Sequence, residues 1–230
     1  MAINALTFTG IVQGVERVIA MSPAQLIVAG WTGRDKAAVE KHIVELEALG
    51  VARPTSVPVY YQIAAARLTQ NQQIECSGEQ SSGEVEFALI KHENKLWVGL
   101  ASDHTDRHVE TYNVTVSKQM CEKPIAKTLW AYEEIAPHWD QIIMRSFIQE
   151  KGARVLYQEG SVMNMLDPLE LIAGFAPLES LPNGFVMLCG TFAAKGGIRP
   201  SADFEFEMED PVLKRTMRHN YHIKTLKVEG

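Results

Sequence analysis

The stretch GEVEFALIKHENKLWVGLASDHTDR, residues 83–107, places Glu84 and Glu86 two residues apart in a run that otherwise reads as a buried strand. Its second apolar run, KLWVGLASD, is hydrophobic on both alternating faces, and a strand of that kind belongs in a sheet covered on both sides. Two acids interrupt the first run. Alternate residues of a strand share a face, so Glu84, Glu86, Ala88 and Ile90 point one way while Val85, Phe87 and Leu89 point the other. Two carboxylates aimed into one poorly hydrated space must share a proton, find cations or stay wet, and a covered sheet disfavours the last. Asp103 closes the second strand. Three carboxylates from two neighbouring strands then form a hard-oxygen site suited to Mg²⁺ or Mn²⁺. The competing reading of the same pattern is a solvated sheet face, on which alternating acids are ordinary. His104, Asp106, Arg107 and His108 follow at once, with Lys118 in SKQMCEKP, and a metal-bound oxyanion needs such cations nearby. His104 and His108 also have the four-residue spacing of a zinc pair, but no third ligand shares their element.

Composition narrows the class. At 230 residues, 46% hydrophobic and 22% charged, the chain can bury one core, or a core with a small satellite. A net charge of −6 argues against a sequence-independent nucleic-acid surface, which needs a basic stripe. The start MAINALTFTG has no cationic segment before an apolar block, and no run reaches the ~20 apolar residues of a bilayer span, so neither export nor a membrane is expected. Cys76, Cys121 and Cys189 are few, odd in number and far apart, which supports neither a disulfide framework nor a cysteine zinc site. A cytoplasmic protein is expected.

Along the chain, Ala5–Ile11, Arg17–Met21 and Gln25–Gly30 read as short strands of a small sheet. TGRDKAAVEKHIVELEALGV reads as a helix, with Thr32 as N-cap, Asp35 three residues on, and an apolar stripe of Ala38, Val39, Ile43, Leu46 and Leu49 ending at Gly50. Strand signals dominate from Val57 to Arg107. The spacing of Trp139, Ile142, Ile143, Ser146 and Phe147 predicts a helix over 137–151, and a shorter one is expected over 168–175 after Asp167. The last sixty residues return to strands, PNGFVMLCGTF, ADFEFEMED and HNYHIKTLKVE, so early and late strands are expected to pair. The expected fold class is α+β, mostly β, with a small N-terminal α/β subdomain over residues 1–55 and a β-roll over 56–230.

GEVEFALI, SDHTDR, SKQMCEKP, LCGTFAAKGG and ADFEFEMEDP, in that order, resemble five signature segments of the fumarylacetoacetate hydrolase superfamily, and GRDKAAVEKHIVEL is similar to its G-R-N-Y-x-x-H-x-x-E segment. Collinear order makes the resemblance specific. Within the superfamily the chain most resembles a bacterial branch, domain-of-unknown-function family 2848. The resemblance implies a fumarylacetoacetase-like β-roll with peripheral helices and a homodimer. It also implies a divalent ion, Mg²⁺ or Mn²⁺ with Ca²⁺ as a crystallographic substitute, held by Glu84, Glu86 and Asp103. Arg107, Thr191 and Arg34 fall on substrate-binding positions and Lys118 on the catalytic lysine. His42 and Glu45 match the pair that activates water beneath a lid. The activity implied is C–C bond hydrolysis of a small 1,3-dicarbonyl oxo-acid, acylpyruvate-like, through a metal-bound enolate. Decarboxylation, hydration and isomerisation of related acids pass through similar states, and a non-catalytic metabolite-binding protein is the alternative from another class. Compared with most members, the Arg34 to His42 spacing is longer, Ile63 replaces a lysine, and a tight hairpin around His92–Lys95 replaces a helical connection.

Overall fold

The computed structural model describes residues 5–48 and 53–229. In chain order the strands are β1 (Leu6–Val12), β2 (Val15–Met21), β3 (Gln25–Gly30), β4 (Val59–Ile63), β5 (Leu68–Thr69), β6 (Gln73–Ser77), β7 (Ser81–Ser82), β8 (Val85–His92) and β9 (Lys95–Ser102). They continue with β10 (Thr105–Asp106), β11 (Lys123–Pro124), β12 (Thr128–Ala131), β13 (Ile143–Glu150), β14 (Ala153–Ser161), β15 (Phe185–Leu188), β16 (Asp203–Asp210) and β17 (Arg215–Leu226). The α-helices are α1 (Lys36–Ala48), α2 (Arg107–Glu110), α3 (Val114–Met120), α4 (Tyr132–Ile135) and α5 (Pro168–Phe175).

Eight strands form one mixed sheet in the order β2-β1-β12-β9-β8-β15-β3-β4, and five form a second in the order β14-β13-β16-β17-β6. The β8–β9 hairpin occupies the middle of the larger sheet, which explains why both its faces are apolar. Val85, Phe87 and Leu89 join Met144, Phe204 and Phe206 of the second sheet in one core, while Ala88 and Ile90 join Phe8, Leu129 and Leu188 in another. The turn between the two strands holds Glu93 and Asn94 at φ 47° and 60°, the left-handed pair whose twist matches a two-residue hairpin. The expected hairpin is therefore present.

The first three strands do not form a sheet of their own. β1 runs parallel to β12, pairing Thr9 with Thr128, and β3 runs parallel to β15, pairing Gln25 with Phe185. Leu26, Ile27, Val28 and Ala29 are buried in succession, so β3 needs cover on both faces and finds it inside the larger sheet, between β15 and the edge strand β4. Strand pairing thus crosses the expected boundary at residue 55.

Two helical expectations change. Residues 137–141 form a tight 3₁₀ segment, but residues 143–150 are strand β13, with Met144, Ser146 and Ile148 buried at period two. Apolar residues on both faces mimicked a helical stripe there, because Phe147 on the other face packs beneath the Arg154 guanidinium, 3.3 Å from its ring centre. At α1 the cap is Asp35, whose Oδ1 accepts from Ala37 and Ala38 at 3.0 Å, and not Thr32, whose hydroxyl donates to Cys189 O. Ile43 is the buried member of the expected stripe, Ala38 is exposed, and Leu49, Gly50 and the side chain of Leu46 lie outside the described residues. Helix α5 forms as expected, with Asp167 accepting from Leu169 N at 2.8 Å. Phe87 is fully buried and meets the Trp139 ring edge-on at 5.0 Å, so Phe87→Ala is expected to lower stability by about 3–5 kcal/mol. Urea unfolding measures this, and a loss under about 1 kcal/mol would mean that the two sheets do not share this core.

Candidate metal centre

The hairpin ends bring the acids together. Glu84 immediately precedes β8, Glu86 lies within it, and Asp103 immediately follows β9, with the Asp103 N–H donating to Glu84 O at 2.9 Å. Oxygens of all three carboxylates lie within 4.8 Å of one another. Glu86 is 2% exposed and Asp103 is fully buried. Among the described residues this is the one cluster of three such ligands.

Three cations surround it. Lys118, in the last turn of α3, places Nζ 2.5 Å from Asp103 Oδ2 and 3.5 Å from Glu84 Oε2. Lys123 on β11 is fully buried, with Nζ 2.9 Å from Asp103 Oδ1 as an ion-pair contact, while its well-aligned hydrogen bond goes to His104 O at 2.6 Å. Arg107 opens α2 and puts Nη2 3.1 Å from Glu84 Oε1, its other nitrogens bonding Glu110 and Ser82. Asn113, which caps α3 by accepting from Val116 N at 3.0 Å, fixes the helix that carries Lys118.

These contacts divide the acids. Burial raises the Glu86 carboxyl well above the usual carboxylate range, and the charges of Asp103 and Glu84 raise it further. Burial would raise Asp103 too, but Lys118 and Lys123 outweigh it and hold that carboxyl below the usual range. Lys118 and Arg107 lose some basicity to burial and regain more from the surrounding acids, so both stand above their ordinary values and remain charged. Glu86 accepts from the Gly190 N–H at 2.8 Å. Gly190 sits at φ 102°, and a Cβ there would lie 1.9 Å from Thr32 Oγ1, so only glycine fits this backbone against the carboxylate.

A cavity of about 1150 Å³ opens over the cluster and is lined by Glu84, Glu86, Arg107, Lys118 and Thr191. The Thr191 hydroxyl accepts from Gln158 Nε2 at 2.8 Å. Gln158 is itself fixed, because its Oε1 accepts from Val85 N and Ser146 Oγ. Arg34 reaches the cavity rim, but its guanidinium forms a two-pronged pair with Asp140 and donates to Met165 O. Glu45 is exposed on α1 with Lys41 3.9 Å away, and the side chain of His42 lies outside the described residues. His104 is buried between the Tyr221 hydroxyl at 2.8 Å and Ser81 Oγ at 2.9 Å, whereas His108 packs its ring against Tyr112, so they do not act as a pair.

Sequence reasoning missed Lys123, Gly190 and Gln158. A lysine five residues after Lys118 reads as a solvated charge, and only the short pairing of β11 with β5 turns it inward. Hard carboxylate oxygens beneath a cavity fit Mg²⁺ or Mn²⁺, and Glu84, Glu86 and Asp103 would hold the ion. Burial and the neighbouring acids make the Glu86 carboxyl hold its proton to higher pH than an ordinary carboxyl, whereas an ion-ligating carboxylate must be ionised. Uptake is therefore expected to release about one proton, and affinity to rise about tenfold per pH unit until the raised pKa of Glu86 is passed. Calorimetry in buffers of different ionisation enthalpy measures both, and a pH-independent affinity without proton release would contradict this division of the acids.

Comparison with known proteins bears on the fold and the family. No curated protein matches the sequence. Among solved structures, Cg1458 with an inhibitor aligns at a TM-score of 0.60 with 15% identity, covering 94% of this chain and 84% of that one. 2-Keto-3-deoxy-D-arabinonate dehydratase complexed with magnesium and 2,5-dioxopentanoate aligns at 0.64 with 14% identity, covering 92% and 77%. At such identities the likeness shows a shared fold, mostly β with peripheral helices. The family model described as "Protein of unknown function (DUF2848)" matches residues 29–221, and the chain belongs to that family.

Proposed function

We propose that the chain is a divalent-metal-dependent enzyme of the fumarylacetoacetate hydrolase superfamily that hydrolyses a C–C bond in a small 1,3-dicarbonyl oxo-acid. The observation that carries this reading is the converging triad of Glu84, Glu86 and Asp103, with Glu84 and Glu86 reaching a cavity whose lining also bears Arg107 and Lys118. Mg²⁺ or Mn²⁺, when bound, supplies Lewis-acid polarisation of a substrate carbonyl.

The chain's own side chains supply the rest. Arg107 and Lys118 stay charged and face the cavity, where they neutralise the substrate carboxylate and the negative charge that develops on oxygen as the C–C bond breaks. The Thr191 hydroxyl already accepts from Gln158, which leaves its proton to donate to a substrate oxygen. The Gly190 N–H and Gln158 Nε2 hold Glu86 and Thr191 in place by hydrogen bonds. Helix α1 borders the cavity through Ala38 and Val39, and on it His42, oriented by Glu45, would take the proton of the attacking water as the helix closes over the site. A cytoplasmic homodimer is part of the same proposal.

A second reading has a specific observation in its favour. The magnesium-complexed structural neighbour is a dehydratase of a 2-keto-3-deoxy acid, and loss of water from such an acid at this chain's site would call on the same Arg107 and Lys118. The two separate in a metal-supplemented screen against acylpyruvates, oxaloacetate and sugar-derived oxo-acids. Turnover of an acylpyruvate is expected. Glu84→Gln is expected to weaken metal binding at least tenfold and abolish activity, while His42→Ala keeps the metal and loses about 10²–10⁴ in kcat. If neither variant alters any activity, the site belongs to a metabolite-binding protein.

A further inference from the structure

The cavity is larger than an oxo-acid head needs, and its lining is chemically mixed. Glu84, Glu86, Arg107, Lys118 and Thr191 supply its charged and polar part. Trp31, Val39, Tyr61, Val114, Met163 and Met165 supply a broad apolar part. We infer that the enzyme selects 2-oxo acids whose chain beyond the reacting carbons is an apolar tail, aliphatic or aromatic, and not polyhydroxylated sugar acids.

Two observations carry this beyond the mere presence of apolar atoms. First, Trp31 is held at φ 59°, a left-handed backbone that bulky residues rarely adopt, and it directly follows β3, the strand between β15 and β4. The Tyr61 ring of the neighbouring strand β4 lies over Gly30, the residue before Trp31, and the two rings line one wall of the cavity. Second, the polar side chains near that wall are already engaged. Arg34 bonds Asp140 and Met165 O, Asp35 caps α1, Thr32 donates to Cys189 O, and Thr111 donates to His108 O. Asn164 adds one amide at the rim. Successive hydroxyls of a sugar chain would leave their water partners and find few replacements here, whereas methylene or phenyl groups lose nothing. The charged floor fixes the acid head, and the head directs the tail toward Trp31 and Tyr61.

This selectivity rests on the oxo-acid reading of the site, and the test separates the two. With the Mg²⁺-loaded protein, kcat/KM is measured for 2,4-dioxo acids with acyl tails of one to six carbons, for a phenyl analogue and for a 2-oxo-3-deoxy sugar acid. The Kd of simple saturated 2-oxo acids of matching tail length is measured alongside. Both kcat/KM and affinity are expected to rise by about fourfold per methylene, with the sugar acid at least a hundredfold behind the longest tails. Trp31→Ala is expected to cut the long-tail value at least tenfold and the one-carbon value far less, with Mg²⁺ affinity as the check on folding. A flat series, or a sugar acid preferred over every apolar tail, would overturn the inference. If no compound is turned over but 2-oxo acid affinity still follows tail length, the hydrolase reading fails and the selectivity stands; if neither turnover nor tail-dependent binding is seen, both fall.

Discussion

Like charge forced into one buried space is the constraint around which this molecule is arranged. Two unit charges about 5 Å apart repel by roughly 3 kcal/mol at an effective dielectric constant of about 20. Three ionised carboxylates would therefore cost about 10 kcal/mol, comparable with the whole stability of a domain, about 5–15 kcal/mol. Glu84, Glu86 and Asp103 survive together because Lys118 and Lys123 grip Asp103, Arg107 faces Glu84, and burial makes Glu86, which accepts from the Gly190 N–H, hold a proton more tightly than an ordinary carboxyl. That arrangement is balanced without being closed. A divalent cation that displaces the Glu86 proton would find three hard oxygens already converging.

The fold serves this balance from several directions. The central position of the β8–β9 hairpin buries the acids, and the backbone bond from Asp103 to Glu84 holds its open end together. Short helices deliver the cations: Asp106 and Asn113 cap α2 and α3 and so aim Arg107 and Lys118 at the floor of the cavity. From the far side, Gln158 on β14 bonds both the start of β8 and Thr191, so that the second sheet sets the position of a cavity side chain. Removing Lys118, Lys123 or Arg107 would leave an acid without its charged partner, which costs more than the contact itself contributes.

Local pattern carried much of this, and its failures have physical causes. The alternation in GEVEFALI placed Glu84 and Glu86 on one face and the three apolar residues on the other, as the two cores bear out. The hairpin at Glu93 and Asn94 and helix α5 behind Asp167 were equally legible. Strand β13 was not, because Phe147 lies on the face that carries Arg154 and so filled in a helical stripe. Lys123 was invisible for a different reason: its burial depends on Asp103 and on a two-residue pairing with β5, both distant in sequence. The placement of β1 and β3 within the larger sheet likewise rests on partners more than a hundred residues away. Contacts between remote segments leave no local periodicity to read.

Crystals grown with Mn²⁺ and measured above and below its absorption edge test the central claim most directly. The account predicts a single strong anomalous peak within coordination distance, about 2.0–2.3 Å, of oxygens from Glu84, Glu86 and Asp103. A peak elsewhere, or none, with Lys118 still bridging Asp103 and Glu84 in saturating Mn²⁺, would contradict it.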